Sequence, residues 1–251
     1  MAVLGIDIGG SGIKGAPVDL ETGEFTQDRY RIPTPSPGTP DQVIEVIRRI
    51  VEHFEWKDKI GAGFPGVVRR GVIETAANVS KEWIGQDLAT LMSEATGCPV
   101  VVLNDADAAG LAEMRFGVGK QYEDDYVLFL TIGTGIGSAL FVKRELWPNT
   151  ELGHLKVKGK DAENRASDAR RKNKGYSWKK WGKKLNKILR IYDFLFSPDA
   201  IILGGGVSKK FDKYEKYLQK KVVADIIPAE LLNQAGIVGA AIAAHESIII
   251  D

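Results

Sequence analysis

The chain has 251 residues, 44% of them hydrophobic and 27% charged, with a formal net charge of +1. That length accommodates one large domain or two modest ones with real cores, and the composition is that of a globular protein rather than a disordered or fibrous one. The single cysteine, Cys98, excludes an intrachain disulfide framework and any structural zinc site built mainly from thiolates, and it fits a reducing compartment. No apolar run approaches the length that spans a bilayer, and Asp7 interrupts the N-terminal apolar stretch with no basic region before it. A cytoplasmic protein with no membrane partner and no signal peptide is therefore expected.

Val3 to Ile8 form a short apolar run ending in Gly9-Gly10, the pattern of a buried strand followed by a tight turn. Thr22-Gly23 marks a further turn between strands of an antiparallel meander. Pro33 to Pro40 holds four prolines, which remove donors and fix φ, so regular structure is excluded there. Asp41 is placed to cap the next helix, whose apolar residues Val43, Ile44, Val46, Ile47, Ile50 and Val51 recur at helical spacing. Ile60 to Phe64 is a strand closed by Pro65-Gly66. Gln86 to Thr96 reads as a helix, Val100 to Leu103 as a buried strand, and Ala106 to Phe116 as a helix of mostly small residues.

A second series of strands begins at Tyr126. Tyr126 to Ile132 leads into Gly133, Gly135 and Gly137, and Ser138 to Lys143 pairs back as a hairpin. A basic helix, a strand at Ala200 to Leu203 with Gly204-Gly205-Gly206, and a last helix from Gly236 to about Ser247 follow. Ile6-Asp7-Ile8-Gly9-Gly10 and Thr131-Ile132-Gly133-Thr134-Gly135 read as corresponding turns of two α/β lobes. Facing lobes would bring both turns to one cleft. The break is expected between 109 and 110, giving a lobe of residues 1–109 and another of residues 110–251, with the final helix packing back on the first.

Four groups of residues carry chemistry. In Asp7-Ile8-Gly9-Gly10-Ser11-Gly12-Ile13-Lys14, glycines at a strand end let backbone N–H groups approach phosphate oxygens. A carboxylate there suits Mg²⁺, a hard cation that prefers oxygen, and Lys14 adds a point charge; a plain hairpin with a capping aspartate explains the same letters. Thr131, Gly133, Thr134 and Gly135 make a second turn of this kind, again open to reading as a hairpin. Asn104-Asp105 ends one strand and opens a helix. Both residue types cap helices well, but a carboxylate at a strand end can also accept a hydroxyl proton during phosphoryl transfer. Glu151-Leu152-Gly153-His154 offers a glutamate and a histidine as a hydroxyl-binding pair, while His53 and His245 sit on helices as surface or packing residues.

Taken together and in order, these segments resemble the ROK family of bacterial sugar kinases. So do Gly63-Phe64-Pro65-Gly66, Asn104 to Ala109 with Glu113, Ile202 to Ser208 and Gly239-Ala240-Ala241. The resemblance implies a two-lobed α/β, actin-like (ribonuclease H-like) ATPase fold with a cleft between lobes. It makes Asp105 the general base for the sugar 6-hydroxyl. Gly63, Pro65, Gly66, Asn78, Asn104, Glu151, His154 and Glu163 become the glucose-binding residues. Asp7 becomes the Mg²⁺-associated carboxylate, and Gly9, Gly10, Ser11, Lys14, the threonine–glycine turn and Gly204-Gly205-Gly206 the phosphate-binding elements. It further implies a homodimer.

One segment departs from the family. The cysteine-rich zinc motif that typically follows Glu-Leu-Gly-His is replaced by Lys158 to Ser167, so no zinc is expected and His154 is left as a sugar contact. This zinc-free form, with Asp161-Ala162-Glu163 followed by basic residues, resembles the family's polyphosphate-using glucokinases. From Arg165 to Arg190 there are eleven Lys and Arg residues and one acid, Asp168. Trp178, Trp181, Leu185, Ile188, Leu189 and Tyr192 define a buried face, leaving the lysines on the other. A solvated helix face is the ordinary reading of a charge run, but such faces mix signs. A single-sign patch in a nearly neutral chain calls for a polyanion. Arg170, Arg171, Lys179, Lys180, Lys183, Lys184 and Lys187 are the expected track for inorganic polyphosphate. No nucleic-acid-binding motif accompanies them. ATP remains an alternative donor, favoured by Gly204-Gly205-Gly206. A sugar-sensing regulator of the same family is the remote alternative, because the phosphate turn begins at residue 7 with no helix-turn-helix before it.

Overall fold

The computed structural model describes residues 1–76, 79–218 and 221–248. Asn78, expected in the sugar site, lies outside them. The chain forms two compact units, one made of Met1–Ala112 together with the segment that begins at Gln234, the other of Glu113–Asn233.

The first unit is a five-stranded sheet in the order β3-β2-β1-β4-β7. Strands β1 (Ala2–Gly9), β2 (Gly12–Asp19) and β3 (Tyr30–Ile32) form an antiparallel meander. After helix α1 (Pro40–His53), β4 (Ile60–Phe64) pairs parallel to β1. A small hairpin of β5 (Val68–Arg69) and β6 (Val72–Ile73) and helix α2 (Leu88–Thr96) then precede β7 (Val100–Asn104), which lies parallel to β4. Helix α3 (Asp105–Phe116) leaves the end of β7 at once, and the chain crosses to the second unit within it. All five residues of β4 are buried, the mark of a parallel strand covered on both faces.

Helix α1 buries Val43, Val46, Ile47, Ile50 and Val51, the stripe that its spacing foretells. Its start differs from expectation. Thr39 is the cap, Pro40 takes the first position, and the Gln42 side chain reaches back to accept from the N–H groups of Gly38 and Thr39 at 3.2 and 3.3 Å. Asp41 lies in the first turn instead, where its charge complements the helix dipole. Proline at the first helical position needs no hydrogen-bonded N–H, which moves the cap two residues earlier, from 41 to 39.

The second unit repeats the strand order, β10-β9-β8-β13-β14. Strands β8 (Tyr126–Ile132), β9 (Ile136–Val142) and β10 (Glu145–Trp147) make the meander. A two-stranded ribbon of β11 (Lys156–Val157) and β12 (Lys160–Asp161) leads to short helices α4 (Glu163–Ala166) and α5 (Asp168–Asn173). Helix α6 (Trp178–Phe196) runs for 19 residues before β13 (Ala200–Gly204) and β14 (Asp225–Pro228), both parallel to β8. Trp181, Leu185, Ile188, Leu189 and Tyr192 are buried along α6, and the Trp181 indole donates to the Ala166 carbonyl at 2.9 Å. Trp178, expected on that buried face, is only half-buried because it is on the helix's first turn, where it stacks on Tyr214.

The chain then returns to the first unit as α7 (Ala235–Glu246), which buries Ala235 and every residue from Ile237 to Ala244. An all-round apolar helix must sit inside a core. It lies on the β1 and β4 face so closely that a side chain on Gly5 would start 2.0 Å from the Ile237 carbonyl oxygen. One on Gly61 would start 1.7 Å from that of Ala240. Glycine at those two strand positions is what admits the helix backbone.

Candidate active site

In the first unit, strand register builds a row. Arg31 pairs with Lys14, Lys14 with Asp7, Asp7 with Gly63, and Gly63 with Leu103, from β3 across to β7. Residues in register point to the same face, so the charged side chains of the first three stand side by side. Asp7 Oδ2 is 2.9 Å from Lys14 Nζ, with 18% and 23% of the side chains exposed. The same carboxylate lies against the start of α7: a side chain on Gly236 would begin 2.8 Å from it. A helix N-terminus and an ammonium group thus both face the Asp7 carboxylate.

Gly10 and Ser11 form the two-residue turn between the paired Gly9 and Gly12. Two side chains absent from the sequence expectation hold it. Arg31 Nη2 donates to the Ser11 carbonyl at 2.7 Å, and the Thr34 hydroxyl donates to that of Gly9. Their positions, on and beyond a three-residue edge strand, follow from β2–β3 register, which no local motif announces.

Asn104 realises the capping alternative. Its Oδ1 accepts from the N–H groups of Ala106 and Asp107 at 2.8 and 3.1 Å, while Nδ2 donates to the Gly66 carbonyl at 3.0 Å. The cap therefore also ties the Gly63–Gly66 segment to the start of α3. Asp105, the first residue of that helix, is half-buried, and a side chain on Gly63 would begin 3.5 Å from its Cα. Gly63 and Pro65 are both buried.

In the second unit, the turn between β8 and β9 is closed by the Gly133 N–H donating to Gly135 O at 3.0 Å, and the Gly133 carbonyl accepts from Ala169 at the head of α5. Gly204 pairs with Thr131, so Gly204-Gly205-Gly206 lies beside this turn, with Gly205 at a φ of +76° that suits glycine. Glu163 reaches over the turn: Oε2 accepts from the Ile136 N–H at 3.4 Å and stands 2.5 Å from where a Gly135 side chain would start. Thr131, Gly133, Gly135, Glu163 and Gly204–Gly206 are thus brought together.

Glu151 and His154 flank a single 3-10 turn, Leu152–His154, whose Leu152 carbonyl accepts from the buried Tyr192 hydroxyl at 2.6 Å. His154 Nε2 lies 3.8 Å from Glu151 Oε2, and Nδ1 lies 3.5 Å from Asp161 Oδ2. Burial lifts the Glu151 carboxyl above the usual carboxylate range. His154 opposes that shift and Glu163 adds to it. His154, Asp161 and Glu163 offer ligand atoms within 4.8 Å of one another, a set able to hold a metal ion, although Lys156 already pairs with Asp161. The role of Asp161 is apparent only in three dimensions.

The basic segment is divided. Lys179, Lys180, Lys183 and Lys187 are exposed and Lys184 is half-buried along α6, with Lys180 and Lys184 over the Tyr176 ring at 4.6 and 5.2 Å. Arg170 is half-buried. Arg171 is held by Asp168 at 2.7 Å and lies 4.0 Å over the Trp178 ring, so much of its charge is already engaged. Lys184, Lys187 and Arg190 also edge a groove of about 1170 Å³ that includes Phe194 and Val223.

Two α/β units of one strand order, each with a glycine turn at its meander, define the two-lobed actin-like class that contains the sugar kinases. Residues 3–168 match the ROK family, and the chain belongs to that family. It is 47% identical over 241 residues to a polyphosphate glucokinase of Mycobacterium tuberculosis, covering 96% of this chain and 90% of the relative. Among solved structures it is similar to an inorganic polyphosphate/ATP-glucomannokinase from Arthrobacter, with a TM-score of 0.92, 44% identity and coverage of 98% and 99%. It is also similar to a ROK glucokinase of Streptomyces griseus in complex with glucose and AMPPNP, with a TM-score of 0.84, 27% identity and coverage of 98% and 100%.

Proposed function

We propose that the protein transfers the terminal phosphoryl group of inorganic polyphosphate to the 6-hydroxyl of glucose, producing glucose 6-phosphate. The observation that carries this reading is the sheet row that sets Asp7 and Lys14 beside Gly63 and hence beside Asp105, on one face of one unit. Asp105 takes the hydroxyl proton, the sugar oxygen forms a bond to the terminal phosphorus, and the bridging P–O bond breaks, leaving a chain one phosphate shorter. Asn104, Glu151, His154, Glu163 and the Gly63–Gly66 segment bind glucose hydroxyls. The glycine turns and Lys14 clamp phosphate oxygens, and the exposed lysines of α6 guide the rest of the polyanion. Positioning and charge stabilisation supply most of the catalysis in such a transfer.

Asp7 fits Mg²⁺: it is a largely buried, charged oxygen donor, and this ion needs only one or two carboxylates when phosphate oxygens and water complete its shell. When bound, the ion would neutralise charge on the donor. ATP as a second donor is favoured by the Gly204–Gly206 turn lying beside the threonine–glycine turn. We place the enzyme in the cytoplasm; among the described residues no helix is long and apolar enough to cross a membrane. A homodimer would cover exposed apolar side chains such as Phe194, 84% exposed, and Val223, 93% exposed; sedimentation measures it.

The deciding assay is purified protein with glucose and Mg²⁺, given polyphosphate or ATP. Glucose 6-phosphate formed with polyphosphate is the expected result, and its absence with polyphosphate would overturn the reading.

A further inference from the structure

Arg31 has no part in the roles assigned so far, yet it occupies the end of the charged row. Register sets it directly opposite Lys14, and like charges so placed repel. Asp7 cancels the charge of Lys14 at 2.9 Å, while no carboxylate among the described residues pairs with Arg31. The row Asp7–Lys14–Arg31 therefore carries one uncompensated positive charge, and it sits at the phosphate-type turn.

The guanidinium is also positioned. It lies within 2.4 to 2.5 Å of where a side chain on Gly12 would begin, so only glycine at position 12 lets it fold over the turn. One of its five N–H donors goes to the Ser11 carbonyl. Thr34 takes the Gly9 carbonyl. Carbonyl oxygens are the groups of a turn that repel phosphate, and here donors cover two of them. The remaining guanidinium donors stay with an exposed side chain, and their planar fork matches phosphate oxygens bidentately.

We infer that Arg31 is a donor-binding residue, which grips the phosphate next to the one being transferred. The inference rests on the phosphotransfer reading above. It makes Arg31 a determinant of affinity for any phosphoanhydride donor, long or short.

The test uses the full-length enzyme with tripolyphosphate and with long-chain polyphosphate, and Arg31→Gln, which keeps an N–H donor for the Ser11 carbonyl but loses the charge. Wild-type turnover is measured first, because its absence would sink the phosphotransfer reading itself and not the inference alone. With wild-type turnover in hand, Arg31→Gln is expected to raise the KM for both donors about tenfold. The KM for glucose and the melting temperature should hold steady. The fall of donor affinity with salt should become shallower by about one charge. Arg31→Lys should recover part of the loss. Unchanged donor KM would overturn the inference. So would equal rises for glucose and donor with an unaltered salt slope, the signature of a residue that only braces the turn.

Discussion

Gly63 stands directly opposite Asp7 in the parallel β1–β4 ladder, and a side chain on it would begin 3.5 Å from the Cα of Asp105. Adjacent strands are about 4.8 Å apart. The space that glycine leaves thus separates the carboxylate suited to a metal ion from the carboxylate proposed as base.

Asp105→Asn removes the proposed proton acceptor while preserving size. General-base assistance is worth about a hundred- to ten-thousand-fold, so kcat should fall by at least about a hundredfold. Glucose affinity, measured by calorimetry, should change little, because Asn104 rather than Asp105 ties Gly66 to the helix. The loss of one negative charge from the first turn of α3 should cost about 0.3–1 kcal/mol of stability. A variant with near-normal kcat would remove Asp105 from the mechanism.

On the proposed function, the lysines of α6 should separate long donors from short ones. Neutralising Lys179, Lys183 and Lys187 to glutamine removes three exposed charges from a helix whose apolar face, from Trp181 to Tyr192, stays intact. The KM for long polyphosphate should rise and its dependence on salt should weaken by roughly three charges. The KM for tripolyphosphate should stay within about twofold, since uncompensated rim charges act on affinity for what reaches them. Identical effects on both donors would argue against a track along this helix. Circular dichroism checks that the helix persists.

Much of this was legible in the sequence, and the reason is local. Glycine turns at strand ends, Asn104 at a helix start and the apolar stripes of α1 and α6 depend on near neighbours, so pattern reveals them. The hydrogen bonds of Arg31 and Thr34 and the place of Asp161 depend on register between segments far apart or on a two-stranded ribbon, and no periodicity encodes those. The cap of α1 failed for a different reason. Asp41 and Thr39 both have capping side chains, and Pro40 between them decides in favour of the earlier one.

The docking of α7 on the first sheet makes a stability prediction that is independent of the chemistry. Gly61→Ala would put a methyl group 1.7 Å from the Ala240 carbonyl oxygen, backbone that cannot move without shifting the whole helix. Overpacking of a core typically costs about 1–3 kcal/mol, and a clash with main chain belongs at or above the upper end. Urea unfolding should therefore show a loss of about 3 kcal/mol. Gly133→Ala, with nothing within 4 Å of the added group, is the contrasting control, with less than about 1 kcal/mol lost.

Glu151 supplies a pH dependence. Burial raises its carboxyl above the ordinary range, His154 offsets this in part, and Glu163 pushes it further up. A raised pKa means that, on acidification, the side chain protonates earlier than an ordinary glutamate. The carboxylate proposed to accept hydrogen bonds from glucose hydroxyls is then lost at a higher pH than usual. The KM for glucose should accordingly climb as pH falls toward the carboxylate range, starting above pH 4.5, the ordinary value for glutamate. Glu151→Gln mimics the protonated state, so its KM should be high already at neutral pH and flat on the acidic side. The folding linkage has the opposite sign. The folded state binds this proton more tightly than the unfolded chain, so the contribution of Glu151 to stability declines as pH rises through that window. Glu151→Gln should then stabilise the protein slightly at neutral pH while weakening glucose binding, and thermal melts paired with glucose titrations would read both.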